Sequence, residues 1–150
     1  MTELSGGCLC GAVRYRAMSP PLMAGHCYCT DCRRTGGTSH STHVVVPQES
    51  FALSGQVRCF EKPADSGHLI TRCFCPECGT SLYSRNAAMP GMVFLLASGL
   101  DEPDRVEPAM TVYAARAPGW ALLDRSHPVF DLAVPGGEAA AVEAVARSAE

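Results

Sequence analysis

Seven cysteines fall into three short clusters, and any fold this chain adopts must bring those clusters together. Cys8 and Cys10 form C-x-C, Cys27, Cys29 and Cys32 form C-x-C-x-x-C, and Cys75 and Cys78 form C-x-x-C. Cysteines one or two residues apart rarely bridge to each other. The total of nine cysteines is odd and fits poorly with a purely paired disulfide framework. In a reducing compartment clustered thiols serve as metal ligands more often than as disulfides. Zinc suits such a donor set: four thiolates close a tetrahedral site, and three leave one coordination position open. Seven ligands divide as four plus three. Iron–sulfur clusters fit less well, because they usually take four cysteines and one group would hold only three.

FCPECG at 74–79 is the strongest single knuckle, with Pro76 between its ligands and Gly79 just after, a composition suited to a tight turn. Its partner pair is either Cys8/Cys10 or two of the Cys27/Cys29/Cys32 group. One division strands no ligand: Cys8, Cys10, Cys75 and Cys78 close one site, and Cys27, Cys29 and Cys32 form an open one. On spacing alone the alternative stays open that a histidine closes the second site, since His26 is adjacent and His40 and His43 follow. Cys59 and Cys73 stand apart from the clusters. Each reads as a small, buried apolar residue in a strand.

The 150 residues, 47% of them hydrophobic, suffice for one domain with one core. A net charge of -3 weighs against nucleic acid as a partner, which needs a basic surface. The N-terminal stretch MTELSGGCLCGAVRY lacks the basic and apolar regions of a secretory signal, and the longest apolar run, MVFLLA at 92–97, is strand-sized. A cytoplasmic protein without a membrane partner is the expectation.

Alternation in Ala12–Ala17 puts Val13 and Tyr15 on one face and Arg14 and Arg16 on the other, the pattern of a half-buried strand. Thr42–Val46, Phe51–Leu53, Val57–Phe60, His68–Phe74, Leu82-Tyr83, Met92–Ala97 and Met110–Tyr113 continue the series of short strands, with Ser54-Gly55 joining the second and third. The HCYCTDCRRTGG stretch at 26–37 reads as a loop with one helical turn through Asp31–Arg34. The alanine-rich tail reads as a short helix over 138–148, with Val142, Val145 and Ala146 on one face. The fold class is therefore mainly β with a short C-terminal helix. Unpaired strand edges make a homodimer plausible.

Three segments together resemble one family. GGCLCGAVRY at 6–15, HCYCTDCRRTGG at 26–37 and SGHLITRCFCPECGTSLY at 66–83 are similar to the signatures of the glutathione-dependent formaldehyde-activating enzymes, a family that includes centromere protein V. SGLDEP at 98–103, Trp120 and His127-Pro128 resemble its C-terminal pattern. The resemblance spans 4–130 and implies one zinc-binding domain there, followed by an extension over 131–150. It implies the single-domain β-tent fold shared with the Rab-exchange chaperone. It also implies two zinc ions per chain, a structural one on Cys8, Cys10, Cys75 and Cys78 and a catalytic one on Cys27, Cys29 and Cys32. The implied activity is a carbon–sulfur lyase reaction in which a thiol, glutathione or a similar one, condenses with an aldehyde.

Three function classes follow. A thiol-dependent lyase needs the open zinc. A zinc-stabilised binding module does not. A zinc-bearing thiol or redox enzyme needs Cys59 or Cys73 to be reactive. For the lyase, Arg33 and Arg34 could pair with the carboxylates of a peptide-like thiol. Tyr28 and Asp31 lie between ligands, where they either shape a pocket or serve local packing. His26 is expected to support the site from outside the ligand set, and Trp120 to be a core or rim aromatic.

Overall fold

The computed structural model describes residues 3–148. Strands β1 (Leu4–Gly7), β2 (Arg14–Ala17) and β5 (Phe51–Ser54) make a small antiparallel sheet in the order β1-β2-β5. Strands β3 (Met23–Cys27), β4 (Ser41–Pro47), β6 (Arg58–Pro63), β7 (Leu69–Phe74), β8 (Ser81–Asn86), β9 (Met92–Leu96) and β10 (Thr111–Val112) make a second sheet. Its order is β10-β3-β4-β9-β8-β7-β6. All its pairs are antiparallel except β10 with β3, which is parallel. Helix α1 (Thr30–Gly36) follows β3, and α2 (Gly137–Ser148) ends the described chain.

The two sheets share one core because each offers it an apolar face. In β2, Tyr15 and Ala17 are buried and Arg14 and Arg16 exposed, as the alternation requires. Val13 and Tyr15 pack with Leu82, Val93 and Leu95 of the large sheet. Strand β4 departs from alternation: Val44, Val45 and Val46 are all fully buried. Both of its faces are covered. Val44 and Val46 join the core beneath the small sheet, whereas Val45 packs with Phe94 and Met89 on the opposite face. Val142 of α2 leans against that second cluster, and Ala141 is 1% exposed. Each such valine contributes about 1.5–3 kcal/mol by leaving water. The terminal helix therefore forms where the alanines predict it, as a cover for the outer face of the sheet. Val145 and Ala146 lie outside the residues whose side chains are described.

Several local expectations give way to tertiary pairing. The stretch expected to be a loop begins inside a strand, since His26 and Cys27 belong to β3, which β4 and β10 hold on its two sides. The expected single turn is the longer helix α1. Strands β5 and β6, adjacent in sequence, do not pair but enter different sheets. Gly55 between them has φ +94°, and the Ala12 carbonyl sits 2.2 Å from where a Cβ would be. Only glycine passes there. Strand β1, with Gly6-Gly7 in its four residues, carries no strand signal of its own.

Cys59 and Cys73 are not two separate buried apolar residues. They face each other across β6 and β7, with Cα atoms 4.1 Å apart, and form a disulfide. Cys73 is buried and Cys59 exposed, because β6 is an edge strand whose residues are all exposed. Trp120 is 69% exposed and takes no place in the core. Among the described residues, no helix is long and apolar enough to cross a membrane.

Candidate metal centres

The loop between β1 and β2 carries Cys8 and Cys10, and the turn between β7 and β8 carries Cys75 and Cys78. The second turn is a knuckle built by its backbone: Gly79 donates its N–H to the Cys75 carbonyl at 2.9 Å, and Cys75 donates to the Thr80 carbonyl at 3.0 Å. Gly79 adopts φ 79°, the left-handed conformation that glycine enters without a Cβ penalty. The two loops meet where the Leu9 N–H donates to the Thr80 hydroxyl at 3.1 Å. The four sulfurs then lie within 4.8 Å of one another. Cys8 and Cys10 sulfurs are 3.6 Å apart, and Cys10 and Cys75 sulfurs 3.8 Å. A tetrahedron with zinc–sulfur bonds of about 2.3 Å has edges of about 3.8 Å. The group thus has the spacing zinc requires. The Val13 N–H at 3.2 Å from Cys8 and the Thr80 hydroxyl at 3.2 Å from Cys78 offer hydrogen bonds to the sulfurs, as thiolate ligands need.

The second group is built from one short stretch. Cys27 ends β3, Cys29 is the N-cap of α1, and Cys32 lies in the first turn of that helix. The Cys29 sulfur accepts the Cys32 N–H at 3.3 Å, so a ligand doubles as the helix cap. Gly37, in the left-handed conformation with φ 75°, ends the helix. The three sulfurs lie within 4.8 Å of one another, and among the described residues no fourth metal-binding side chain shares that radius. As thiols they divide protons unequally. Hydrogen bonding from Cys27, then from Cys32, pulls Cys29 down, while the same contact with Cys29 pushes Cys27 up. The donor set of three sulfurs, one of them already biased to thiolate, fits zinc with one position left over.

The residues singled out around this trio are sorted by strand parity. His26 is next to Cys27 on β3 and so points to the opposite face. There its Nδ1 meets the Thr42 hydroxyl at 2.8 Å, and its ring packs near His40 and His127. Burial lowers the pKa of both His26 and His40. An open cleft of about 320 Å³ on that face is lined by His26, Glu107, Asp124 and His127. Tyr28 is buried, stacks on His40 with centroids 4.6 Å apart, and donates its hydroxyl to the Leu122 carbonyl at 3.2 Å. Asp31 accepts from Lys62 at 2.8 and 3.0 Å. Arg33 and Arg34 make no ion pair among the described residues.

Four further neighbours of the trio carried little or no sequence signal. His43 of β4 places Nε2 3.6 Å from the Cys32 sulfur, and burial pulls its pKa down to about 4. Arg72 of β7 is close enough for its charge to favour the Cys32 thiolate. Tyr113 and Arg116 feel the charge of Cys29. Arg116 lies over the Tyr113 ring at 5.4 Å and pairs with Asp65 at 2.5 Å. Among the described residues Tyr113 is the non-glycine one with positive φ, 56°, a conformation that a bulky residue holds only when its surroundings enforce it. All four reach the trio from distant strands and loops, which ligand spacing does not report.

Comparison with known proteins agrees with this architecture. The family model described as glutathione-dependent formaldehyde-activating enzyme matches residues 3–116. A Halomonas elongata protein, provisionally named a glutathione-dependent formaldehyde-activating enzyme, is 32% identical over a 113-residue alignment covering 69% of this chain and 72% of that one. A solved structure of a Rhodobacter sphaeroides protein superposes with a TM-score of 0.54 at 20% identity, covering 69% of this chain and 96% of its own. That likeness concerns the fold alone. The chain belongs to the glutathione-dependent formaldehyde-activating enzyme family.

Proposed function

We propose that this protein is a zinc-dependent carbon–sulfur lyase that joins glutathione, or a similar thiol, to formaldehyde in the cytoplasm. The observation that carries the reading is the pairing of a four-sulfur group with a separate three-sulfur group. Cys8, Cys10, Cys75 and Cys78 would hold a structural zinc, and Cys27, Cys29 and Cys32 a catalytic one. Held by these three thiolates, a zinc ion would leave one position for an incoming thiol and favour its thiolate form, and because the thiolates exceed its charge it would polarise a carbonyl only weakly. The chain's residues do the rest. Arg33 and Arg34, next to Cys32 in sequence and without ion pairs among the described residues, would take the carboxylates of a peptide thiol. The thiolate sulfur adds to the formaldehyde carbon. The carbon–sulfur bond forms as the carbonyl π pair moves to oxygen, and water supplies the proton that completes S-hydroxymethylglutathione.

The test is direct. The protein should carry two zinc ions per chain and consume formaldehyde only when glutathione is present. Cys29→Ser should abolish that consumption and leave one zinc ion. Undiminished turnover in Cys29→Ser would sink the reading. A thiol–redox role is the second reading, favoured by the Cys59–Cys73 disulfide. It requires Cys59→Ser to lose activity with both metals retained.

A further inference from the structure

Cys32 is the most buried sulfur of the trio, 7% exposed, and it has a neighbour of its own, the Nε2 of His43 at 3.6 Å. Strand β4 grips this residue twice. Ser41 donates its hydroxyl to the Cys32 carbonyl at 2.8 Å, and His43, two residues on and facing the same way, reaches the sulfur. The His43 nitrogens are not within 4.8 Å of all three sulfurs, so His43 stands outside the ligand set.

The sulfur decides the tautomer. Nδ1 of His43 is shielded from solvent and has no hydrogen-bond partner among the described residues. A proton on Nδ1 would leave Nε2 turning a lone pair towards a thiolate that has no proton to give. A proton on Nε2 faces the sulfur and leaves Nδ1 a bare lone pair. A cavity of about 20 Å³ adjoins the ring, lined among others by Thr35, Arg72, Tyr83 and Leu96, and it has room for one water, which serves Nδ1 in either tautomer. The half-buried Arg72 adds positive charge on the same side of Cys32.

We propose that His43 is a positioning residue of the three-cysteine centre: with a proton on Nε2, it donates a hydrogen bond to the Cys32 thiolate and keeps that sulfur from reacting. A donated hydrogen bond draws on the lone pair that would attack a carbon electrophile. Cys29 is damped in the same way by the Cys32 N–H at 3.3 Å. An incoming thiol brings no such donor, so its sulfur is the one left nucleophilic when formaldehyde arrives. This role deepens the lyase reading and rests on it, because only there must the protein's own sulfurs survive an aldehyde.

The zinc-loaded full chain, without glutathione or aldehyde, tests the assignment. Long-range proton–nitrogen NMR should show His43 with its proton on Nε2. A proton on Nδ1, or an Nε2 signal shifted by direct metal binding, overturns the proposal with no variant needed. Iodoacetamide modification followed by peptide mapping gives the second readout. His43→Leu should raise the rate at Cys32 at least about tenfold, the effect of losing a hydrogen bond to a charged acceptor. Cys27 and Cys29 should change little, and His43→Gln, which keeps an N–H donor, should restore most of the protection. Equal Cys32 rates in all three proteins overturn the proposal. The expected tautomer and protection in a protein without lyase turnover would instead retain the His43 role and discard the reaction, whereas turnover with the wrong tautomer would discard only the role.

Discussion

Cys29 does two jobs that a serine can separate. Its sulfur is one of three donors to the proposed working metal, and it also caps α1 by accepting the Cys32 N–H. Serine is among the best N-caps and a poor zinc ligand. Cys29→Ser should therefore lose one zinc ion while α1 stays capped, and Cys29→Ala should lose the metal and the cap together. The alanine variant should unfold in urea with about 1 kcal/mol less stability than the serine variant at equal metal content. Identical midpoints would mean that the sulfur contributes nothing as a cap. The histidines on the other face of β3 give a second expectation. Burial holds the His40 pKa below the ordinary histidine value. The unfolded chain takes up a proton below about pH 6.5 and the native residue resists it, so the unfolded state binds more protons there. His40 thus supports the fold fully above that pH and less as pH falls through it. NMR titration should place the His40 midpoint below 6.5, and His40→Phe, which keeps a ring against Tyr28, should soften the loss of urea stability between pH 7 and 5.5.

At the scale of elements, the edge strand β6 shows where local reading stops. Its residues are exposed along the whole strand, and among the described strands it pairs with β7 alone, so hydrogen bonds on one side, the Lys62–Asp31 ion pair and the Cys59–Cys73 bridge hold it. The bridge spans 14 residues of sequence, a loop for which the chain-entropy model gives about 3 kcal/mol. Cys59→Ser should cost about that much in urea unfolding under oxidising conditions, and a non-thiol reductant should bring the unaltered protein down to the same midpoint. A variant unaffected in both conditions would show the bridge to be energetically idle. Composition alone reads two isolated strand cysteines as buried packing residues, because register across a hairpin is invisible in either strand by itself. The same reason hides β3: its five residues, with Gly25 at the centre, satisfy their hydrogen bonds through β4 and β10. The grouping of seven cysteines as four and three was legible because the spacing within each cluster is local. The strands β2, β4 and β9 were legible because alternation or a run of burial is written along each of them. Arg72, Tyr113 and Arg116 were not, since each approaches the trio from an element whose position the topology sets; His43 was one of three histidines that spacing offered, and the register of β4 singles it out.

For the molecule as a whole, the two cysteine groups differ in what they join. Cys8 and Cys10 come from the small sheet, and Cys75 and Cys78 from the large one, so a metal on these four ties the sheets together across their shared core. Few other links do this at the same edge. The Gly6–Leu100 bridge and the Arg14–Asp101 ion pair lie nearby. That ion pair is exposed, and exposed pairs contribute about 0–1 kcal/mol. A structural zinc contributes on the order of 10–16 kcal/mol in apparent binding, comparable with the 5–15 kcal/mol total stability of a domain, about what separates folded from unfolded. Cys27, Cys29 and Cys32, by contrast, come from one stretch at the end of β3 and the start of α1, and a metal there ties no sheet to another. With three protein ligands it should also leave first. Titration with a zinc chelator should therefore proceed in two stages. The first zinc should depart with loss of formaldehyde consumption and an unchanged far-ultraviolet circular dichroism spectrum. The second should depart together with cooperative loss of the β signal, and added zinc should restore both. Cys75→Ser should behave as though the second stage had already occurred, appearing unfolded or insoluble. A soluble, native-like Cys75→Ser protein, or release of both ions in one step without unfolding, would show that the four-sulfur group does not hold the sheets together.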